Sequence, residues 1–247
     1  AALVFNSQLP NLNSLKEEAK YTLLQHFKGW YIETDKAIFN EDEFTMMDYR
    51  YKDGDSTSFM YVLPTHSNKA LIEFTYFTPD LVKDSRYDVF LKKYIQEELK
   101  ISQYKIVESE QGIIPMTNYP FTKNNTKRIT QIGTAGGWVK ASSGYSFKNA
   151  EKKAKQICEN LKQNLPTNNL LFKAKYKHYD SIFLDVLYNQ NHVGEKVFYK
   201  LYAKNNTKAL LRFLDEDSSF GEDLSIITSL TSIKFIKAFF KHIFGIK

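Results

Sequence analysis

Four runs rich in β-branched and aromatic residues, at 25–33, 43–51, 58–64 and 69–77, follow one another with only polar or glycine-containing turns between them, such as Lys52-Asp53-Gly54-Asp55. Strands this closely spaced, with no helix intervening, predict an antiparallel sheet. The next segment, over 84–101, has a helical period. Tyr87, Phe90, Leu91, Tyr94, Ile95 and Leu99 fall on one face, and Asp84 or Ser85 is placed to cap the N-terminus. Strand character returns at 104–114 and 128–132. A glycine-containing segment then leads into a helix over 146–164, closed by Leu165-Pro166. From Leu170 onward the pattern is five consecutive helices, at 177–190, 192–204, 206–215, 221–230 and 232–244. The opening Ala1-Ala2-Leu3-Val4-Phe5-Asn6-Ser7 reads as a buried strand. A core strand at residue 1, with no initiator methionine, reads as the interior of a longer protein.

Composition narrows the function classes. The chain has 247 residues, 43% hydrophobic and 25% charged, which is enough to bury a sizeable core and excludes wholesale disorder. The 19 Phe and 16 Tyr are compatible with a ring-lined apolar pocket, or simply with an AT-rich genome. One cysteine, Cys158, excludes an internal disulfide and a multi-cysteine metal site. It falls on the stripe Phe147, Ala150, Ala154, Ile157, Cys158 and Leu161, which predicts a core position. The net charge is +6, and residues 231–247 hold four lysines and no acid. No Arg-rich groove segment or nucleic-acid motif accompanies that charge, so nucleic acid is not the expected partner. Neither a secretory signal nor a run of 18 apolar residues is present.

Two stretches carry chemistry. Gly133-Thr134-Ala135-Gly136-Gly137 lies between a strand and a helix, where backbone amides can meet a phosphate-bearing cofactor. A plain strand-to-helix turn explains such a run equally well. In Ala70-Leu71-Ile72-Glu73-Phe74-Thr75 a single carboxylate sits in an otherwise apolar strand. Glu73 shares a face with Leu71 and Thr75, while Ile72, Phe74 and Tyr76 take the other. It reads as an edge residue, as a partner for a lysine, or as an acid kept protonated by desolvation. Asp48 and Arg50 read as a surface pair or as pocket residues on one face of their strand. The acids Asp215, Glu216, Asp217, Glu222 and Asp223 read as acidic helix starts rather than a metal cage, and the five histidines show no ligand spacing. No metal site is expected.

Taken together these segments resemble the flavin-dependent lycopene cyclases. The string from Gly133 through Trp138 to Ser143-Gly144-Tyr145-Ser146-Phe147 is similar to that family's flavin loop and helix start. Leu71-Ile72-Glu73-Phe74-Thr75 is similar to its apolar-Glu-acid-Thr motif. Met47-Asp48-Tyr49-Arg50, Phe59-Met60-Tyr61-Val62-Leu63-Pro64, Gly112-Ile113-Ile114-Pro115-Met116, Gln25-His26-Phe27-Lys28-Gly29 and the segment from Phe213 to Leu224 fit the same template in order. Two positions depart from it. Thr134 stands where related flavoproteins carry an aspartate for the ribityl chain, and Phe74 stands where the second acid would be, leaving Glu73 alone.

The resemblance implies an α+β / α/β chain with part of a glutathione-reductase-like, hydroxylase-type FAD-binding fold. Residues 1–20 and 126–166 would be what remains of the flavin domain, 21–125 an antiparallel-sheet substrate domain, and 167–247 a C-terminal helical region. It implies FAD in its reduced form, NAD(P)H as reductant, and lycopene and related carotenoids as substrates. Glu73 would be the proton donor in a non-redox β-cyclisation, an isomerase reaction. Gly133, Thr134, Ala135, Gly136 and Gly137 would bind cofactor, and Asp48, Trp138 and Tyr145 would bind substrate. The family's N-terminal Gly-x-Gly-x-x-Gly segment is absent, so the chain alone is expected to be inactive unless complemented. A flavin-dependent isoprenoid reductase or monooxygenase, and a non-catalytic carotenoid- or lipid-binding remnant, are the other readings.

The tail completes the sequence-level picture. Over 232–247, Ile233, Phe235, Ile236, Phe239, Phe240, Ile243 and Phe244 cover a wide apolar arc, with Lys234, Lys237 and Lys241 along one edge. Such a helix either docks on the body or lies in a headgroup layer. The latter would make the protein peripheral on the cytoplasmic face of a membrane.

Overall fold

The structure is a computed structural model describing residues 2–244, with side chains through residue 242. The chain divides into two units. One comprises Leu24–Ile114 and Asn191–Glu195; the other comprises Ala1–Leu23, Pro115–Gln190 and Lys196–Lys247.

The first unit is built on five strands: β2 (Thr22–Glu33), β3 (Thr45–Asp48), β4 (Ser58–His66), β5 (Lys69–Thr78) and β6 (Lys105–Thr117). Their order across the sheet is β3-β4-β5-β2-β6. Neighbouring pairs β3–β4, β4–β5 and β5–β2 are antiparallel, as the short turns predict. Period-two alternation sends Trp30, Ile32, Met60, Val62, Ile72, Phe74 and Tyr76 to one face. There they pack against Tyr87 and Leu91 of helix α2 (Asp84–Lys93) and against Tyr94 and Ile95 just beyond it. Each fully buried side chain of this size contributes roughly 1.5–3 kcal/mol of hydrophobic stabilisation.

The expected helix over 84–101 is interrupted. After Lys93 the backbone widens into a π-helical turn, Tyr94–Glu98, which lets Leu99 N–H reach the Tyr94 carbonyl and Ile101 N–H the Ile95 carbonyl. The cap also differs from expectation. Lys83 holds the cap position without a side-chain bond, while Asp84 is drawn into an ion pair with Lys28.

His26 lies in this core at 1% exposure. Its Nδ1 meets the Tyr87 hydroxyl, its Nε2 is 2.7 Å from Thr78 Oγ1, and its ring stacks on Tyr76. Burial, opposed in part by a hydrogen bond to the Asp80 backbone, pushes its pKa down to about 4. An unfolded chain would titrate this ring near 6.5, so below that pH the unfolded state takes up a proton that the folded state refuses. Stability from His26 is therefore whole above about pH 6.5 and is lost as pH falls toward 4, by about 2–3 kcal/mol. Urea unfolding midpoints of wild type and His26→Gln measured across that window should converge on acidification.

The second unit begins with a short parallel pair, β1 (Val4–Asn6) with β7 (Ile129–Gln131). The buried strand expected at the start is present but not buried, since Leu3, Val4 and Phe5 are all exposed. Helices α1 (Leu12–Glu18), α3 (Phe147–Lys162), α4 (Ala174–Asn189), α5 (Gly194–Ala203), α6 (Thr207–Leu214), α7 (Phe220–Ser229) and α8 (Ile233–Phe244) follow in chain order, with α2 and the strands between α1 and α3. A capping box of Ser219 and Glu222 opens α7, and Asn206 caps α6. No helix among the described residues is long and apolar enough to cross a membrane.

Helix α3 overturns a sequence expectation. Its buried positions are Asn149, Lys153, Ile157 and Asn160. Of the apolar stripe, Phe147 is 76% exposed, and Cys158 and Leu161 are also exposed. What packs on this helix explains the rotation. Asn160 Nδ2 donates to the Thr167 and Asn169 carbonyls, and Lys153 pairs with Glu216 at 3.5 Å. Ile157 joins an apolar cluster with Trp138 and Leu171, and partly buried Ala150 packs against it. Polar partners, not amphipathicity, select the inner face here.

The acids at 215–223 are likewise absorbed by lysines. Glu216 pairs with Lys153, Asp217 with Lys152 and Lys173, and buried Asp223 with Lys175. Among the described residues no cluster of three or more metal-ligating side chains occurs.

Helix α8 buries Ala238 and leaves Ile233, Ile236, Phe239 and Phe240 exposed. Its Lys241 and His242 approach Asp185 of α4. The side chains of Ile243 and Phe244, and residues 245–247, lie outside the described residues.

Candidate functional site

Glu73 stands on the sheet face opposite α2. It is in register with Tyr61 on β4 and with Gly29 on β2. The Thr75 hydroxyl donates to Glu73 Oε1 at 2.6 Å. Partial burial raises the carboxyl pKa to about 7, opposed by the Thr75 bond and reinforced by the negative charge of Glu110. An acid with this proton affinity is half-protonated near neutral pH, as a general acid requires.

Glu73 is not alone, contrary to the expectation drawn from Phe74. Phe74 is buried on the other face, stacked on Phe90 with ring centroids 4.5 Å apart, so a side chain at 74 is turned away from Glu73. The neighbouring acid arrives instead from β6, beside β2 in the sheet. A Cβ built on Gly29 would lie 2.7 Å from Leu71 Cδ1, 3.2 Å from Glu110 Cγ and 3.4 Å from Glu110 Oε1, so Leu71 and Glu110 together cover that glycine. Tyr31, two residues along β2, reports the same convergence. Desolvation raises its pKa, and the negative charges of Glu110, Glu108 and Glu73 raise it further. Sequence reading missed Glu110 because β6 carries several acids at its exposed end. The signal was the alternation Glu108, Glu110, Gly112 facing a glycine on β2.

Asp48 is not brought to Glu73. A register shift in β3, with Met47 at φ 56°, turns Asp48 toward the α2 side of the sheet. There it accepts from Arg50 and from the Tyr94 hydroxyl at 2.8 Å. Burial alone would raise its pKa, but the Arg50 guanidinium and Tyr94 hold it below the usual carboxylate range. Arg50 also pairs with Glu98. Asp48 thus ties β3 to the π-helical turn, on the sheet face opposite Glu73.

The glycine segment, in the second unit, is a 3₁₀ turn of its own over Gly133–Gly136, closed by Gly137 at φ 69°. Helix α3 starts at Phe147, after residues 138–146 and close to the expected start at 146, so the glycines are not themselves its N-terminus. Gly136 and Gly137 N–H donate to the Ile132 and Thr134 carbonyls, and Trp138 N–H to Gly133. These donors are committed to the turn. Side-chain room at Gly136 is also taken, because a Cβ there would meet the Gln131 carbonyl oxygen at 2.4 Å and Trp138 Nε1 at 2.9 Å. The amides at the start of the turn, Gly133, Thr134 and Ala135, are those that a helical turn leaves without an internal acceptor. A Cβ on Gly133 would meet open space. The segment therefore fits a phosphate or flavin carbonyl through its first three amides.

Trp138 packs with Ile157 and Leu171, and its buried Nε1 has no hydrogen-bond partner. Tyr145 is held by Asp215, which with burial raises its phenol pKa. Between them, Lys140 is buried against Asp180 at 2.8 Å, and Asp180 also accepts from Ser142 Oγ at 2.6 Å. The same unit contains an apolar cavity of about 450 Å³, with Phe183, Phe198, Phe213, Phe235, Phe239 and Phe240 among its lining.

Comparison with known proteins adds the family. Among solved structures the chain is similar to a geranylgeranyl bacteriochlorophyll reductase-like protein from Thermoplasma acidophilum, at 13% identity and a TM-score of 0.48, over 96% of this chain and 58% of that one. It is also similar to the tetracycline destructase Tet(51), at 14% identity and a TM-score of 0.37, over 93% of this chain and 60% of that one. The chain spans less than two thirds of the length of either structure. No curated protein matches it. A family model described as "Lycopene cyclase protein" matches residues 1–240, nearly the whole sequence, and the chain therefore belongs to the lycopene cyclase family.

Proposed function

We propose that the protein acts as a lycopene β-cyclase, converting the acyclic ends of lycopene to β-ionone rings without net oxidation or reduction. The observation that carries this reading is Glu73, a partly buried carboxyl whose pKa is raised to about 7 in a chain of the lycopene cyclase family. Its proton adds to the terminal double bond of the substrate, leaving a tertiary cation. The neighbouring alkene closes the six-membered ring on that cation, and loss of a ring proton restores neutrality. Thr75 fixes the carboxyl's orientation through its 2.6 Å bond.

The amides of Gly133, Thr134 and Ala135 are the groups we assign to FAD, with Thr134 in place of the usual aspartate. The reduced flavin, maintained by NAD(P)H, supplies electrostatic stabilisation of positive charge when bound. The phenylalanine-lined cavity suits an apolar hydrocarbon chain. The exposed apolar residues of α8, with Lys234 and Lys237 nearby, suit contact with an anionic membrane surface, the source of such a substrate. On this reading the protein is peripheral at the cytoplasmic face of a membrane.

The test is pigment analysis of lycopene-accumulating bacterial cells that express the full-length protein. Conversion to monocyclic and bicyclic β-ended carotenoids is expected. Unchanged lycopene from a folded, flavin-loaded protein would overturn the reading, and more saturated isoprenoids would favour the reductase instead.

A further inference from the structure

We propose that Glu110 is the partner carboxylate of Glu73, its side chain lying over Gly29 on the strand that separates them. The function given to the pair, holding the proton that Glu73 donates, rests on the cyclase reading above. The pair itself does not.

The geometry follows from strand register. Tyr61, Glu73 and Gly29 form one transverse row across β4, β5 and β2, and β6 is the next strand. Adjacent strands are about 4.8 Å apart, so Glu73 on β5 and Glu110 on β6 start roughly 10 Å apart at the backbone. A side chain at position 29 would stand between them. Instead Leu71 Cδ1, 2.7 Å from where a Cβ would be, and Glu110 Cγ and Oε1, at 3.2 and 3.4 Å, share the space over the glycine. Phe27 lies over Gly112 in the next row by the same device.

The row is short of counter-charge. The influences on Glu73 are burial, the Thr75 hydroxyl and Glu110, with no cation among them. Glu108 follows Glu110 on the same face of β6, and Tyr31 on β2 senses all three acids. On β4 the row ends in Tyr61, a phenol. The negative charge of Glu110 makes the Glu73 proton harder to lose, so Glu73 keeps it to higher pH than its burial alone would give. Glu110 is thus a positioning residue. It keeps Glu73 charged with its proton and acts on the substrate only through Glu73.

The experiment follows the Glu73 proton directly. In the full-length protein, the protonated-carboxyl infrared band that disappears in Glu73→Gln is titrated from about pH 5 to about pH 9. In Glu110→Gln the midpoint of that band should fall by about one pH unit. The alkaline limb of the cyclisation pH profile should fall with it. Glu110 is partly exposed on the edge strand β6, so the Gln variant is expected to fold. An unmoved midpoint in Glu110→Gln overturns the pair, whether or not cyclisation persists. A moved midpoint in a protein that forms no cyclised product leaves the pair standing and overturns the cyclase reading instead.

Discussion

Replacing Glu73 by glutamine is expected to abolish ring closure in the full-length protein, by a factor on the order of 10²–10⁴ in turnover. Glutamine keeps the shape of the side chain and can still accept the Thr75 bond. What it lacks is a proton that can be given up to carbon. The same substitution should leave a second, independent mark. The folded carboxyl titrates at about 7, above the value near 4.5 of an unexceptional glutamate. Between those values the folded state holds a proton that the unfolded state has released. The stability Glu73 contributes is therefore whole below about pH 4.5 and lost as pH rises through 7. At pH 8 a neutral glutamine avoids that loss, so the inactive variant should unfold later in urea than wild type. The gain, discounted for partial exposure, is on the order of 1–2 kcal/mol. At pH 4 the two proteins should unfold together. Ring closure that survives in Glu73→Gln would remove Glu73 as the donor. A flavin-dependent reductase sharing this fold would keep most of its activity in the same variant.

How much of this site the sequence disclosed depends on which physical signal each residue carried. Strands β2, β4 and β5 were legible because alternation is a local property, and it also placed Glu73 opposite Ile72, Phe74 and Tyr76. The contacts of Asp48 were not legible because β3 carries a register shift that no composition marks. Glu110 was invisible because it lies two strands from Glu73 in the sheet order, a neighbourhood that no local pattern marks. Helix α3 shows the opposite failure. Its apolar periodicity was strong, yet the face it buries carries Asn149, Lys153 and Asn160, because carbonyls and Glu216 were waiting there. Cys158 followed the stripe outward. Periodicity reports which face can be buried cheaply, and tertiary partners decide which one is.

Loss of one member of the Lys140–Asp180 pair should be the most damaging single change to the folded state outside the apolar cores. The Lys140 side chain is wholly buried, with its ammonium 2.8 Å from Asp180 Oδ1. The alignment is poor for a hydrogen bond, so the contact acts as a charge pair. The rings of Tyr176 and Phe213 complete the surroundings, 5.3 and 5.1 Å from the ammonium. Lys140→Ala leaves Asp180 with the Ser142 hydroxyl and the charge of nearby Lys153 but without its direct partner, a loss of about 3 kcal/mol. Asp180→Ala strands the ammonium equally. The double variant Lys140→Met with Asp180→Leu removes both charges and should recover most of the stability, since a buried pair is seldom better than apolar residues of similar volume. Urea unfolding of the three variants measures this. If the single variants lose less than about 1 kcal/mol, the pair is not a buried charge pair in the sense argued. The backbone around Lys140 extends the consequence to the cofactor segment. Its N–H donates to the Tyr145 carbonyl, and Ser143 and Gly144 N–H donate to its carbonyl, folding residues 140–145 into one compact turn. That turn follows directly on the Gly133–Gly137 segment. Flavin bound per folded protein, read from its visible absorbance, should therefore fall in Lys140→Ala and return in the double variant if charge burial, and not the ammonium itself, is what shapes the segment.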